Sequence, residues 1–198
     1  MFDHVRLDHF RAFEAYWSIE NGKKAIEGRW IPGPGAKLFK AAFDKLGQLP
    51  IIAEDLGVIT TGVRALIAEC GFSGMDVIQF YDSDPIFGYQ PPENKIVYTG
   101  THDNQTLLGW CAEKYGEQNA KEYSQKLIKS AMLTNSDVVI LPLQDVFGLD
   151  DSARMNVPGV AIGNWKWQAA DDDFTNHLEW LKKLLEDTER SWQYAEQL

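Results

Sequence analysis

Cysteine is scarce in this sequence, with Cys70 and Cys111 as the two thiols among 198 residues. Two cysteines cannot form the disulfide framework of a small secreted domain, and no further ligands at metal-binding spacing accompany them. We therefore expect neither a disulfide scaffold nor a metal site, and we interpret both residues as buried thiols of a cytosolic protein.

Positive charge and long apolar runs are scarce too. The sequence has 19 basic and 29 acidic residues, which gives a net charge of −10 at pH 7. Such a charge repels phosphate backbones and anionic lipid surfaces, so we expect no nucleic-acid or membrane partner. No window reaches the roughly 18 apolar residues of a membrane span, and no basic segment precedes an apolar run at the start. The predicted location is the cytoplasm.

Apolar β-rich runs alternate with amphipathic helical runs, which is typical of βα units around a parallel sheet. The predicted strands are 4–8, 50–54, 75–81, 95–99 and 137–142. The predicted helices are 36–46, 60–69, 105–114, 118–133 and a closing helix that begins at Asp171. Two longer segments rich in Gly and Pro, 18–35 and 143–169, are predicted to be loops with a functional role.

Three acidic residues occupy the same kind of place in this pattern. Asp8 ends the first predicted strand, Glu54 ends the second, and Asp103 follows the fourth. Because the carboxyl ends of parallel strands open on one rim, we expect these three carboxylates to converge although they are distant in sequence. Converging carboxylates are what the hydrolysis or transfer of glycosidic bonds requires.

A retaining glycosidic mechanism needs two carboxyl groups about 5 to 5.5 Å apart, one ionised and one protonated. Arg6 lies two residues before Asp8 on the same strand face and would keep Asp8 ionised. Glu54 follows the apolar run 51–53, which favours a carboxyl group that keeps its proton. The spacing of 46 residues between the two acids predicts that they lie on adjacent strands.

Other interpretations of these residues remain open. Arg6 and Asp8 could be a structural ion pair at a strand end. Glu54 and Asp55 could cap the following helix. His102 and Asp103 could form a turn with an Asx-type hydrogen bond to Gln105.

The segments "RLDHFRAF", "IIAEDLG" and "YTGTHDN" occur in this order and resemble the catalytic regions of the α-amylase clan. The resemblance is specific to the 4-α-glucanotransferases known as amylomaltase or disproportionating enzyme, since "GRWIPGPG", "RMNVPG" and "GNWKWQ" are similar to further segments of that family. Two positions depart from the family pattern: Ala12 stands where Gly is usual, and Gln168 stands where Arg is usual. Both lie outside the set of carboxylates.

The resemblance implies a role for each of the three acids. Asp8 would be the nucleophile and Glu54 the general acid and base. Asp103 would hold hydroxyl groups of the distorted sugar at the cleavage site. No metal or organic cofactor is needed for these steps.

The resemblance also implies residues that support the acids or bind the substrate. Arg6 would support Asp8, and His102 would contact the sugar ring. Asn104 and Trp30 are further candidates for binding, although Trp30 could instead anchor its loop. The expected ligand is an α-1,4-glucan or a maltooligosaccharide.

The family carries its nucleophile on the fourth strand of a (β/α)₈ barrel. We therefore expect residues 1–198 to form one partial domain, the C-terminal portion of that barrel with about five parallel strands and without the N-terminal strands. The strand at 5–8 would then have an open edge, so the isolated chain is expected either to associate through that edge or to be unstable. The isolated chain is also expected to be inactive.

The function implied for the parent enzyme is the transfer of an α-1,4-glucan segment to the 4-hydroxyl of another glucan or of glucose. One alternative is an α-glucan hydrolase that uses the same carboxylates. The other is an inactive glucan-binding fragment, which has no need for three acids at three strand ends.

Overall fold

A computed structural model describes residues 3–190 of the chain. These residues divide into two compact units. The first unit comprises residues 3–75 and 94–96, and the second comprises residues 76–93 and 97–190. Parallel strand pairs and helices occur in the chain, so the predicted α/β class is confirmed. No helix among the described residues is long and apolar enough to cross a membrane.

The first unit contains two small sheets and three helices. In chain order its elements are β1 (Val5–Leu7), α1 (Arg11–Glu14), β2 (Ala15–Ser18), β3 (Arg29–Pro32), α2 (Ala36–Leu46), β4 (Ile51–Ala53) and α3 (Thr61–Cys70). Strands β1 and β4 pair in parallel, with Val5 opposite Ile51 and Leu7 opposite Ala53. This pair is the frame on which two of the predicted site residues lie.

Aromatic side chains form the core of the first unit. Phe10 and Phe39 are buried and stacked, with ring centroids 5.5 Å apart, and Phe72 meets Phe39 edge-on at 5.0 Å. Offset and edge-to-face rings of this kind add stabilisation to the burial of their apolar area. The core therefore ties helix α2 to the chain that follows β1.

The bounds of α2 and α3 follow from local chemistry. Helix α2 ends before Gly47, whose φ of +76° is a conformation that glycine adopts without strain. Thr60 caps α3 by accepting the main-chain N–H of Val63 on its hydroxyl. Both predicted helices are confirmed, α2 over the predicted range and α3 displaced by one residue.

The prediction of a loop at 18–35 is wrong in part. Strands β2 and β3 form an antiparallel hairpin, in which Trp17 lies opposite Trp30 with ring centroids 5.3 Å apart. A proline usually argues against a strand because it has no N–H to donate, but Pro32 lies at the end of β3, where it is tolerated. Tyr16, Trp17 and Trp30 favour strands because large aromatic side chains pack well across a pleated surface.

The described residues of the second unit contain a pair of parallel strands together with four α-helices. Strands β5 (Gly74–Val77), β6 (Lys95–Tyr98) and β7 (Val139–Ile140) form one sheet in this order, and β5 and β6 contribute residues to both units. The helices are α4 (Leu107–Tyr115), α5 (Glu117–Met132), α6 (Leu143–Val146) and α7 (Asp171–Asp187). Val97 of β6 pairs with Val139 of β7.

The core of the second unit is aliphatic. Val97, Leu107, Leu127 and Ile128 are almost completely buried and belong to one cluster. Cys111 lies in the same cluster, and burial raises the pKa of its thiol to about 12. The predicted burial is confirmed for this thiol. It is wrong for the other cysteine of the chain, which is only partly buried.

All five predicted strands are present, each shorter than predicted. The strand predicted at 75–81 ends at Val77, because Ile78–Phe80 turn into a single 3₁₀ helix. The predicted helices of the second unit are confirmed within two residues, and the closing helix begins at Asp171 as predicted. The first three side chains of that helix lie outside the described residues.

Candidate active site

Asp8 and Glu54 directly follow the two parallel strands of the first unit. Leu7 is the register partner of Ala53, so the next residue of each strand carries a carboxylate at the same end of the sheet. The main-chain N–H of Glu54 donates to the carbonyl oxygen of Leu7 at 3.0 Å, which continues the pairing up to these acids. The prediction that the two acids lie on adjacent strands is confirmed.

The carboxylate of Asp8 is oriented by Arg6. A guanidinium N–H of Arg6 donates to Oδ1 of Asp8 at 2.7 Å, and the Nε–H of Arg6 donates to the sulfur of Met75 at 3.1 Å. The Asp8 side chain remains 62% exposed. Asp8 is therefore fixed on one side by a cation and open to a ligand on the other.

The carboxylate of Glu54 is held by main-chain donors. Oε2 accepts the N–H of His9 at 2.8 Å, and Oε1 accepts the N–H of Leu56 at 2.8 Å. His9 has a φ of +49°, a left-handed conformation that belongs to the tight turn after β1. Each carboxylate oxygen has a second lone pair, so both can still meet a further donor.

The expected apolar surroundings of Glu54 are therefore observed only in part. Ile52 and Ala53 are buried in β4, as the apolar run predicted. The carboxylate itself meets polar main-chain groups, because the chain turns at the end of each strand and presents its N–H groups there. Proximity in sequence to apolar residues did not predict this environment.

Asp55 and Lys95 form an ion pair that the sequence did not reveal. The Asp55 side chain is 7% exposed, and its Oδ1 also accepts the N–H of Met75 at 2.7 Å. The interpretation of the Glu54 and Asp55 pair as a helix cap is wrong, since Thr60 caps α3. Asp55 instead ties the end of β4 to the first residues of β5 and β6.

Trp30 lies on the hairpin and is half exposed. The guanidinium of Arg11 lies over its ring, 4.2 Å from the centroid, and Trp17 packs against it edge-on. The ring is thus fixed in orientation by two neighbours. The prediction that Trp30 binds substrate stays a prediction.

Asp103 and His102 lie in the second unit, in residues 99–106 between β6 and α4. Oδ1 of Asp103 accepts the amide N–H of Asn156 at 2.5 Å and lies 3.5 Å from Nε2 of His102. A guanidinium N–H of Arg154 donates to the carbonyl oxygen of Asp103 at 2.7 Å. The Asp103 side chain is 49% exposed and so is open to a ligand.

Arg154 and Asn156 belong to the segment "RMNVPG", which the sequence singled out only as a whole. Their contact with Asp103 spans more than 50 residues, since the hydrogen bond from Asn156 joins positions 53 apart. The His102 ring also lies against Trp165, with centroids 5.3 Å apart. The prediction of a loop at 143–169 is wrong in part, because the segment begins with α6. Its later part supplies partners to both predicted residues.

Asn104 is buried and its side chain serves the loop. Its Oδ1 accepts the main-chain N–H of Thr101 at 2.9 Å and the Thr101 hydroxyl at 2.7 Å. A turn at His102 and Asp103 is present, and the main-chain N–H of Asn104 closes it by donating to the carbonyl oxygen of Thr101 at 3.2 Å. The Asx-type hydrogen bond from Asp103 to Gln105 stays a prediction. A contact between Asn104 and substrate stays a prediction.

The predicted site residues thus fall into two groups. Arg6, Asp8 and Glu54 are brought together in the first unit, and His102, Asp103 and Asn104 are brought together in the second. Convergence of Asp103 with the other two acids stays a prediction. Within residues 3–190, no group of three or more His, Cys, Asp or Glu side chains is arranged to hold a metal ion.

The sequence of this chain matches a known protein family. Residues 1–173 match the model of a family described as 4-alpha-glucanotransferase. A 4-alpha-glucanotransferase of Synechocystis is 42% identical over 204 residues, which cover 92% of this chain and 40% of that protein. A chloroplastic/amyloplastic 4-alpha-glucanotransferase of Solanum tuberosum is 39% identical, over 94% of this chain and 35% of that protein.

Solved structures agree with this result. The amylomaltase of Streptococcus agalactiae in complex with acarbose is 35% identical with a TM-score of 0.83, over 96% of this chain and 42% of that one. The amylomaltase of Corynebacterium glutamicum has a TM-score of 0.71 at 16% identity and is similar in fold. The chain thus spans about two fifths of the length of these relatives.

Proposed function

Because the chain belongs to the 4-alpha-glucanotransferase family, we propose that it carries the catalytic acids of a retaining transfer of α-1,4-glucan segments. The observation that carries this proposal is the placement of Asp8 and Glu54 side by side at the ends of paired parallel strands. Retaining enzymes need two carboxyl groups in such proximity. The names of the relatives favour transfer over hydrolysis.

In the first proposed step, Asp8 attacks the anomeric carbon of the donor glucan. A bond forms between a carboxylate oxygen of Asp8 and that carbon, while the bond to the leaving sugar breaks. Glu54 gives its proton to the leaving oxygen. The guanidinium of Arg6, 2.7 Å from Oδ1 of Asp8, supports the nucleophile as an anion before attack.

In the second step, the 4-hydroxyl of an acceptor glucan or of glucose replaces the leaving sugar. Glu54 removes the hydroxyl proton, the new oxygen bonds to the anomeric carbon, and the carboxylate of Asp8 is released. The atoms and protons balance over the two steps, with no cofactor required. Each turnover returns Asp8 to its ionised form and Glu54 to its protonated form.

Asp103 and His102 are proposed to hold hydroxyl groups of the sugar that undergoes attack. The contact with Asn156 leaves lone pairs of the Asp103 carboxylate for hydroxyl donors. Hydrogen bonds that strengthen as the sugar distorts stabilise the transition state more than the bound substrate, and so they lower the activation barrier. This role depends on the predicted convergence of Asp103 with Asp8 and Glu54.

The proposed ligand is an α-1,4-glucan or a maltooligosaccharide. The Streptococcus agalactiae relative is in complex with acarbose, which supports an oligosaccharide as the ligand class. Trp30 would offer a flat face to a pyranose ring. We further propose that the chain is part of a (β/α)₈ barrel, which the parallel pairing of β1 with β4 and of β6 with β7 supports.

The predictions on location and assembly are not changed by these results. The Solanum tuberosum relative is named chloroplastic/amyloplastic, so the family is not confined to one compartment. The cytoplasmic location, the inactivity of the isolated chain and its self-association stay predictions.

Incubation of the complete protein with maltotriose tests the proposed function. Transfer produces longer maltodextrins together with glucose, and the variants Asp8→Ala and Glu54→Gln are expected to lower the rate about 10³-fold or more. The matched controls are Asp44→Ala and Glu69→Gln, which change exposed acids on α2 and α3. Glucose and maltose without longer products would reject transfer, and full activity of Asp8→Ala would reject the assignment of the nucleophile.

A further inference from the structure

The loop of residues 99–106 joins the end of β6 to the start of α4 and carries His102 and Asp103. It contains no regular secondary structure, so its shape depends on how its two ends are held. Thr99, at one end, is completely buried, and Leu107, the residue after the other end, is completely buried as well.

One buried carboxylate bonds to both ends of this loop. The Thr99 hydroxyl donates to Oδ2 of Asp145 at 2.6 Å, and the main-chain N–H of Leu107 donates to Oδ1 at 2.7 Å. Asp145 is 5% exposed and lies on α6. The carboxylate thus bonds to both ends of the loop at a position that is largely shielded from water.

Other side chains also hold the loop, but they meet different atoms. The amide of Gln79 donates to the carbonyl oxygens of Thr99, at 2.9 Å, and Gln105, at 3.2 Å. Oδ1 of Asp151 accepts the main-chain N–H of Thr106 at 2.9 Å. The Thr99 hydroxyl and the Leu107 N–H donate to Asp145 instead.

We propose that Asp145 is a positioning residue for the transfer reaction, which fixes both ends of the loop so that Asp103 and His102 meet the sugar in one geometry. The inference rests on the proposed function of Asp103. Asp145 is not proposed to contact the substrate; it acts by holding the loop. A displacement of about 1 Å at a reacting centre can lower a rate about 100-fold, which sets the size of the expected effect.

The chemistry of the two donors distinguishes between substitutions of Asp145. Ala offers no acceptor, so Asp145→Ala leaves the Leu107 N–H and the Thr99 hydroxyl without this partner. Asn offers one acceptor oxygen and one amide donor. It can accept the Leu107 N–H and donate to the Thr99 hydroxyl, whose oxygen is also an acceptor. Asp145→Asn therefore tests whether a side chain of the same shape can keep both hydrogen bonds to the loop.

The first measurement is the steady-state kinetics of maltotriose transfer by the complete protein. Asp145→Ala is expected to lower kcat about 100-fold with KM changed less than about threefold, and Asp145→Asn to stay within about tenfold of the parent. The matched control is Gln144→Ala, on the same short helix and similarly buried, whose amide donates to Ala153 and not to the loop. Equal losses in Asp145→Ala and Gln144→Ala would overturn the proposal.

The second measurement is hydrogen exchange of the peptide that contains residues 99–107. Asp145→Ala is expected to accelerate exchange there, while Gln144→Ala leaves it at the parental rate. Loss of transfer without faster exchange would also overturn positioning. If the parent protein shows no transfer, the proposed function fails. Faster hydrogen exchange of residues 99–107 in Asp145→Ala would still show that Asp145 holds the loop.

A milder variant keeps the proposal testable if Asp145→Ala does not fold. Thr99→Val removes one of the two bonds to Asp145 and leaves the Leu107 bond in place. Thr134→Val is its control, because Thr134 is a buried threonine whose hydroxyl donates to Ala131 in α5. A lower kcat in Thr99→Val than in Thr134→Val supports the proposal, and equal values reject it.

Discussion

The acids in and around the candidate site are held in different ways in the two units. In the first unit, Asp8 pairs with the guanidinium of Arg6, and Asp55 pairs with the ammonium of Lys95. In the second unit, Asp103 accepts an amide N–H, and Asp145 accepts a hydroxyl and a main-chain N–H. Glu54 departs from the pattern of its unit, since its described partners are main-chain N–H groups.

The difference has an energetic consequence. A cation near a carboxylate offsets part of the cost of removing the charge from water, whereas neutral donors offset less. Asp145 shows the result, because burial raises the pKa of its carboxyl group to about 6 despite both hydrogen bonds. Loss of the cation should therefore be costly for the buried acid of the first unit, and the protonation state of the buried acid should affect stability in the second.

Removal of the cation from the buried pair should have the largest effect on stability. Lys95→Met leaves the Asp55 carboxylate without its ammonium partner at a position where the side chain is 7% exposed. Breaking a buried pair costs about 3 to 5 kcal/mol. Partial exposure of Lys95 places the expected loss near the lower end, about 3 kcal/mol, measured by urea denaturation.

An exposed pair on α2 provides the matched control. Lys40 lies 3.7 Å from Asp44 with both side chains largely exposed, so Lys40→Met should cost about 0.5 kcal/mol or less. Adding Asp55→Asn to Lys95→Met should recover part of the loss, because it removes the unpaired charge. Similar losses of unfolding free energy in Lys95→Met and Lys40→Met would show that burial of the acid does not raise the cost of removing its cation.

The second prediction concerns pH and Asp145. Its pKa in the folded protein is about 6, above its ordinary value of 3.8, so folding favours the protonated form. The contribution of this group to stability is therefore full below pH 3.8, falls as the pH rises towards 6, and is constant above that. The total change corresponds to about 3 kcal/mol.

Urea denaturation of the parent and of Asp145→Asn at several values between pH 4 and pH 7 isolates this contribution. The parent should lose stability relative to Asp145→Asn as the pH rises. Asp150→Asn is the control, because hydrogen bonds from Ser152 lower the pKa of exposed Asp150, so that its contribution to stability is lost only below pH 3.8. The curve of this variant should therefore stay parallel to that of the parent between pH 4 and pH 7. Parallel pH curves for the parent and Asp145→Asn would refute the prediction.

The sequence predicted those elements that local patterns determine. Helix α2 was predicted over its full range because its apolar residues share one face and Gly47 ends it. The acids at 8 and 54 were placed correctly on neighbouring strands because an apolar run before an acid marks a strand end. The hairpin of β2 and β3 was missed, since its strands are joined by an irregular connection of residues 19–28 instead of a tight turn.

The partners of the acids could not be predicted in the same way. Lys95 meets Asp55 across 40 residues, Thr99 meets Asp145 across 46, and Asn156 meets Asp103 across 53. No spacing rule connects such positions, because their proximity depends on how strands and loops pack. The sequence therefore indicated the acids themselves and left their environments open.

The smallest expected effect concerns the amide partner of Asp103. Asn156→Ala removes the N–H that Oδ1 of Asp103 accepts at 2.5 Å, while the Arg154 bond to the Asp103 carbonyl remains. A hydrogen bond to a charged group contributes about 1.5 to 3 kcal/mol. We expect kcat/KM for maltotriose transfer by the complete protein to fall about tenfold, near the lower end of that range.

A series of substitutions distinguishes the effect of the chemical type of the Asp103 partner from the effect of losing a side chain. Asn156→Asp places a second carboxylate against Asp103, and like charges at that distance should lower kcat/KM more than Asn156→Ala does. Asn119→Ala, which removes an amide that donates to Tyr115 in α4, should leave kcat/KM at the parental value. If Asn156→Asp were as active as the parent, a neutral donor would not be required at Asp103, and the contrast between the two units would not extend to the site.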